Sequence, residues 1–262
     1  MKYVTLPNNR TIACFGEASA LDVYKDVYED EAYIQQGLSI QPGDVVVDIG
    51  ANIGLWSLFV MEQVPQVKLI AIEPIPQVFE ALEKNIQDHT PPEAAVEALN
   101  IGLAAQEKNA KLLFYPRMPQ LSSEVAFDAD HYFKSMSGAR NVFSKLASWT
   151  IAKVWALIHR PQAVTCQLKT FSQVIADLKL DRIDFIKLDA ENAEWGVIAG
   201  IAEDDWPKIQ QMSIEVHTNI PGGQNLVEEI TALLQSKGFT VIADLNSRFS
   251  PVGVHMLFAK RA

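Results

Sequence analysis

Short apolar runs alternate with amphipathic stretches along most of this chain. VVVDIG (45–50) is an almost unbroken β-branched run, the pattern of a strand buried on both faces of a parallel sheet. IGLWSLFVMEQV (53–64) reads as the helix after it. KLIAIEP (68–74) is a second strand with Glu73 at its tip. PQVFEALEKNIQDH (76–89) is an amphipathic helix with proline in its first turn, and AVEALNIGL (95–103) is a third strand and its exit. The rhythm resumes with TFSQVIADLKL (170–180), a helix with Thr170 as N-cap. IDFIKLDAE (183–191) is then a fourth strand, ENAEWGVIAGIA a helix and QQMSIEVH (210–217) a fifth strand. NLVEEITALLQSKGF closes as a helix on Gly238, and TVIADL and VGVHMLFAK end the chain as a strand pair. This order predicts an α/β fold with a mostly parallel sheet and right-handed crossovers.

Two regions depart from the rhythm. Residues 1–40 are mixed; Val23, Val27 and Tyr28 fall at helical spacing, which predicts a helical lead-in packed on a single domain over 41–262. Residues 116–165 are too long for a structureless loop. Their second half has helical spacing, so an inserted lid with its own helix is expected. Tyr115, Arg117, Ser122 and Ser123 follow the extended piece KLLFYP (111–116) and are candidate acceptor contacts.

Composition narrows the classes. At 262 residues, 48% hydrophobic and 21% charged, the chain has ample core material, which rules out disorder. No run approaches a membrane span, and the start lacks the basic-plus-apolar pattern of a secretory signal. Cys14 and Cys166 make no disulfide framework and there is no CxxC, so a reducing cytoplasm is expected. A net charge of −10 argues against nucleic acid as a partner, and no membrane partner is expected. Against that charge, residues 131–165 carry Lys134, Arg140, Lys145, Lys153 and Arg160 and no acid. Such a stretch suits an acidic carrier protein or the phosphate of its arm. The oligomeric state is left open.

DIGANIG (48–54) sits between a buried strand and a helix, where ligands of open α/β sheets bind. Glu73, at the tip of the next strand, is placed to hold both hydroxyls of a ribose. GxGxxG fails here, because Asn52 and Leu55 stand where glycines are required, and there is no P-loop. The loop therefore suits a nucleoside without a pyrophosphate, which counts against a nicotinamide oxidoreductase.

VVVDIGANIGLWSLFV, AIEPIPQVFEALEKN and IDFIKLDAENAEW together resemble the FkbM-type S-adenosylmethionine-dependent methyltransferases, over nearly the whole chain. FYPRMPQLSS and DDWPKIQQMSIEVH look like the branch that O-methylates polyketide and peptide intermediates. The resemblance implies a class I methyltransferase fold with a seven-stranded sheet, one strand antiparallel near the C-terminal edge. It implies S-adenosylmethionine as cofactor, with Asp48, Gly50, Asn52 and Gly54 along its methionine part and Glu73 on its ribose. Asn100, Ile101 and Gly102 would lie near the adenine, with Asp189 bordering the same crevice. One departure stands out: the family commonly reads DVEGAE where this chain has DAENAE (189–194), so Asn192 replaces a glycine.

Glu215 and His217 are two apart on a strand and share a face. In the implied sheet that strand lies beside the fourth, whose tip carries Asp189 and Glu191. Histidine has the right ordinary pKa for a base at neutral pH. His217 is therefore the expected general base, with Glu191 orienting it and Glu215 in reserve. The same carboxylates suit Mg²⁺, but the resemblance implies transfer without a metal. The expected acceptor is a hydroxyl or enol, on a small molecule or a carrier-tethered intermediate. A sugar acceptor, or a cofactor-binding module that has lost catalysis, is the alternative.

Overall fold

In the computed structural model, which describes residues 1–137, 142–219, 223–245 and 250–261, the β-branched run forms strand β3 (Val45–Ile49) at the middle of the sheet. In chain order the structure begins with β1 (Lys2–Thr5), β2 (Thr11–Cys14) and α1 (Glu17–Tyr24). After β3 come α2 (Leu55–Gln63), β4 (Lys68–Ile72), α3 (Pro76–His89), β5 (Ala95–Leu99), β6 (Gly102–Leu103) and β7 (Lys108–Phe114). Next are α4 (Ala129–Ser137), α5 (Val142–Ile158), β8 (Gln162–Lys169), α6 (Phe171–Asp177), β9 (Phe185–Leu188), α7 (Glu194–Ala199) and β10 (Gln211–His217). The chain ends with α8 (Leu226–Ser236), β11 (Phe239–Asp244) and β12 (Val254–Arg261).

Seven strands pair in the order β11-β12-β10-β9-β3-β4-β5. β3 runs parallel to β4 and β9, and β12 is antiparallel to both β10 and β11. This is the class I methyltransferase topology. The strand order reverses at β3, so the carboxyl ends of β3 and β9 open a crevice there. Side chains alternate along β3: Val46 joins the core under α2 and α3, while Val47 and Ile49 join the core under α6, α7 and α8. Thr170 caps α6 by accepting the backbone N–H of Gln173. Gly238 follows α8 at φ 87°, the left-handed exit its position predicts.

The first 40 residues differ from the helical expectation. They open with an antiparallel hairpin, β1 against β2, and only α1 and a π-helical turn (Lys25–Glu29) are helical. Val4, Ile12 and Cys14 bury one face of the hairpin. Asn85 clips it to α3, accepting from the N–H of Ala13 and donating to the carbonyls of Ala13 and Ile53. Val23, Val27 and Tyr28 do fall in these helical turns; the hairpin before them was not legible because a four-residue strand is too short to show its period.

The insertion holds two helices, α4 and α5, and ends sooner than expected. Its last residues belong to β8, which pairs with β6 and β7 in a three-stranded sheet. Cys166 and Leu168 are buried while Thr165 and Gln167 face solvent, an alternation readable in VTCQLK. Of the basic stretch, Arg140 and the Lys145 side chain lie outside the described residues; Lys153 and Arg160 are exposed.

Candidate functional site

Two adjoining cavities, about 410 and 660 Å³, open at the carboxyl ends of β3 and β9. Gly50, Asn52, Asp189, Glu191 and Asn192 line both. The smaller also has Glu73 and Gly102 in its wall. The larger is bounded by Tyr33, Lys187, Glu215 and His217 and by the aromatic rings of Phe127, Tyr132, Phe133 and Trp155.

The glycine loop is shaped first by its own protein. At φ 76°, Gly50 lies so close to β9 that a Cβ would sit 1.8 Å from the carbonyl oxygen of Asp189. Gly54 opens α2 at φ 87°, and a Cβ there would meet Leu82 at 2.6 Å. Gly54 and Asp48, expected along the methionine part of the cofactor, line neither cavity. Asp48 lies fully buried behind the loop, where Ser57 donates to it at 2.7 Å and the Lys187 ammonium is 3.3 Å away.

Glu73 stands at the tip of β4 as expected. Its carboxylate accepts the backbone N–H groups of Asn52 (3.0 Å) and Ile75 (2.8 Å). Burial pushes its pKa up to about 7, against the pull of those two donors. Asn100 and Ile101, expected near the adenine, do not line the smaller cavity. Asn100 instead donates to the carbonyls of Glu73 and Pro74 and braces that tip from outside. Gly102 does line the cavity, pressed between Leu168 and Pro74.

The second constellation assembles around His217, only 5% exposed at the end of β10. Its Nδ1 lies 3.0 Å from Glu194 Oε1, and its Nε2 lies 3.4 Å from Glu191 and 3.6 Å from Glu215. The carboxylate that fixes the ring is therefore Glu194, fully buried at the start of α7, and not Glu191. Burial works against charge on the ring, but Glu194 and Glu191 outweigh it and hold His217 well above the usual histidine range. Burial likewise pushes Glu191 well up and Glu215 to about 7.

Two further groups complete the cluster. The Tyr33 hydroxyl donates towards Asp189 (3.1 Å) and Glu215 (2.9 Å). Lys187, buried in β9, donates to the Gly50 carbonyl at 2.8 Å and lies 3.4 Å from Asp189, its ammonium over the Tyr33 ring. Burial works against its charge, and Asp48 and Asp189 outweigh it. A lysine inside the apolar run DFIKLD is itself a signal of a buried partner. Tyr33 left no such trace. Asp189, Glu215 and His217 bring potential ligand atoms within 4.8 Å of one another, but Lys187 and Tyr33 already supply countercharge and a donor there.

Glu191 and Asn192 have φ of 45° and 77°, two left-handed residues in a row. That conformation suits the glycine that the resemblance implies at the second position. Asparagine is tolerated because it adopts this conformation more readily than other side chains do. Among the candidate acceptor contacts, Ser122 and Ser123 line the smaller cavity and Ser123 both. Tyr115 and Arg117 line neither. Tyr115 is buried within the insertion, its hydroxyl accepting the N–H of Phe127, and Arg117 is exposed.

The crevice fits a nucleoside amino acid by its unmet hydrogen bonds. Among the described residues, Asn52 Oδ1, Asp189 Oδ1 and Asn192 Oδ1 are buried acceptors without a donor, all on residues lining both cavities. A ligand bearing hydroxyl and ammonium donors would satisfy them.

Comparison with known proteins agrees. Residues 48–241 match the methyltransferase FkbM domain. The chain is 30% identical to 31-O-demethyl-FK506 methyltransferase FkbM of Streptomyces tacrolimicus, covering 98% of this chain and 95% of that one. It is also 30% identical to part of the AMB antimetabolite synthetase AmbE of Pseudomonas aeruginosa, covering 91% of this chain but only 11% of the synthetase. Methyltransferase sdnD of Sordaria araneosa is 29% identical, with 91% of this chain and 89% of that one aligned.

Proposed function

This chain belongs to the FkbM methyltransferase family, and from that premise we propose that it is an S-adenosylmethionine-dependent O-methyltransferase acting on a hydroxyl or enol of a natural-product intermediate, with His217 as general base. The observation that carries this reading is the position of His217: held at Nδ1 by Glu194, it lines the larger cavity, which shares a wall with the nucleoside crevice. Glu73, Asn52, Gly50 and Asp189 would hold the cofactor, which when bound supplies an electrophilic methyl group on a sulfonium.

An alcohol is a poor nucleophile until its proton is taken in the transition state. With Nδ1–H donated to Glu194, Nε2 is the nitrogen free to accept that proton. Glu191 and Glu215, both within 3.6 Å of Nε2, stabilise the imidazolium that results. The aromatic walls exclude water and give an apolar acceptor its contact area, and Ser122 and Ser123 are the acceptor contacts retained from the sequence. The relatives named for biosynthetic enzymes favour a polyketide or peptide acceptor. The synthetase relative and the basic insertion favour one presented on a carrier.

The test is methylation of a panel of hydroxylated polyketide lactones and peptidyl thioesters, read by mass spectrometry. His217→Ala should lower the rate at least about a hundredfold, since general base catalysis contributes 10²–10⁴-fold, while S-adenosylhomocysteine affinity stays near wild type. The wild-type rate should rise with pH over a range above that of an ordinary histidine, and EDTA should leave it unchanged. A variant that kept most of its activity would remove the base. Inhibition by EDTA would turn the cluster into a cation site.

A further inference from the structure

Five carboxylates meet two cations around His217. β3 contributes Asp48, β9 Lys187 and Asp189, the following loop Glu191, α7 Glu194, and β10 Glu215 and His217. Tyr33 faces them from the N-terminal segment, and α1 and the π-helical turn add Asp22, Lys25 and Asp26 to the same cavity. With every group ionised, five negative charges against two positive leave three in excess, and Asp48, Lys187, Glu194 and His217 among them are buried. Such an excess is relieved by keeping protons.

The contacts of Tyr33 offer a place for one more proton than the phenol itself carries. A phenol has a single hydrogen, yet its oxygen lies within hydrogen-bond distance of both Asp189 Oδ2 and Glu215 Oε2. Both contacts are full hydrogen bonds at once when Glu215 carries a proton and donates it to the phenol oxygen, whose own hydrogen then goes to Asp189. Burial raises Glu215.

We propose that the Asp189–Tyr33–Glu215–His217 cluster is a proton reservoir that exchanges one proton for the positive charge of the cofactor's sulfonium. S-adenosylmethionine binding expels a proton to solvent and leaves a base able to act; S-adenosylhomocysteine, neutral at sulfur, leaves the proton in place. In transfer, His217 Nε2 accepts the acceptor's hydroxyl proton as the oxygen–methyl bond forms and the methyl–sulfur bond breaks, its electron pair staying on sulfur. The proton gained replaces the charge lost at sulfur, so the net charge of the site is constant through the reaction. Tyr33 is a positioning residue in this scheme: it couples Glu215 to Asp189, which lines both cavities. The inference rests on the cofactor reading above.

Calorimetric titration of the intact protein with S-adenosylmethionine and with S-adenosylhomocysteine tests it without an acceptor. Each is run at pH 7 in phosphate and in Tris, whose ionisation enthalpies differ, so the buffer dependence of the heat counts protons. S-adenosylmethionine should release up to about one proton more than S-adenosylhomocysteine, and its affinity relative to the product should rise with pH by up to about tenfold per unit. Any proton released from Glu73 is common to both ligands and cancels. Glu215→Gln and Tyr33→Phe should each shrink the difference while both ligands still bind. Equal proton counts for the two ligands in the wild type would overturn the proposal and leave the cofactor reading standing. Binding of neither ligand would overturn both.

Discussion

Glu73 shows how one side chain ties folding to cofactor binding. Burial lifts its pKa to about 7, above its ordinary 4.5. The unfolded chain thus loses this proton first as pH rises, and native stability falls between about pH 4.5 and 7. The loss amounts to roughly 3 kcal/mol from this group alone. Glu73→Gln should flatten that part of the curve, measured by urea unfolding of the ligand-free protein at pH 5 and pH 8. It should also weaken S-adenosylhomocysteine binding about tenfold or more, because a hydrogen bond to a charged group contributes about 1.5–3 kcal/mol. A variant with the wild-type pH dependence and affinity would leave Glu73 without either role.

Among elements, the β1–β2 hairpin depends on the rest of the fold. Two four-residue strands are marginal alone, and here they gain a floor from α3 through Asn85. All three hydrogen bonds of that amide are buried. Asn85→Ala leaves two carbonyls and an N–H without partners, which predicts a loss of about 2–4 kcal/mol in urea unfolding. The chain past the hairpin carries Tyr33 to the cluster, so Asn85→Ala should also weaken S-adenosylmethionine more than S-adenosylhomocysteine. A change in stability under about 0.5 kcal/mol would show that the hairpin holds without its clip. The insertion is a separate matter of packing. Trp155 lies against Tyr115 and Phe127, so one face of α5 packs on the opening stretch of the insertion, while Trp149, Ile151, Val154 and Leu157 remain exposed.

Over the whole molecule, the crevice is drawn together from β3, β4, β9, the β10 strand and the N-terminal segment. A ligand seated there bridges both cores and binds only the folded chain. At a hundred times its Kd, S-adenosylhomocysteine should add about 2.7 kcal/mol, or roughly 5–10 °C in Tm for a chain of this size, read by calorimetric melting. No shift at saturation would mean that the crevice is not its site.

Sequence patterning alone determined the alternation of strands and helices. The glycine loop and the place of Glu73 at the second strand tip were likewise legible, because a buried parallel strand leaves an apolar run whose end marks where its loop begins. The shared face of Glu215 and His217 followed from the period of a strand, and Lys187 was readable in principle as a charge inside an apolar run. Tertiary structure decided the rest. Asp48 and Gly54 brace the loop from behind, and only the packed neighbours, Ser57, Lys187 and Leu82, show what those positions touch. Glu194 displaced Glu191 as the partner of His217 Nδ1 because two left-handed residues bend the chain back and aim the first residue of α7 at β10. Tyr33 reaches Glu215 across 182 residues of sequence. No local spacing encodes such a contact; it exists only once the lead-in has folded over the end of the sheet.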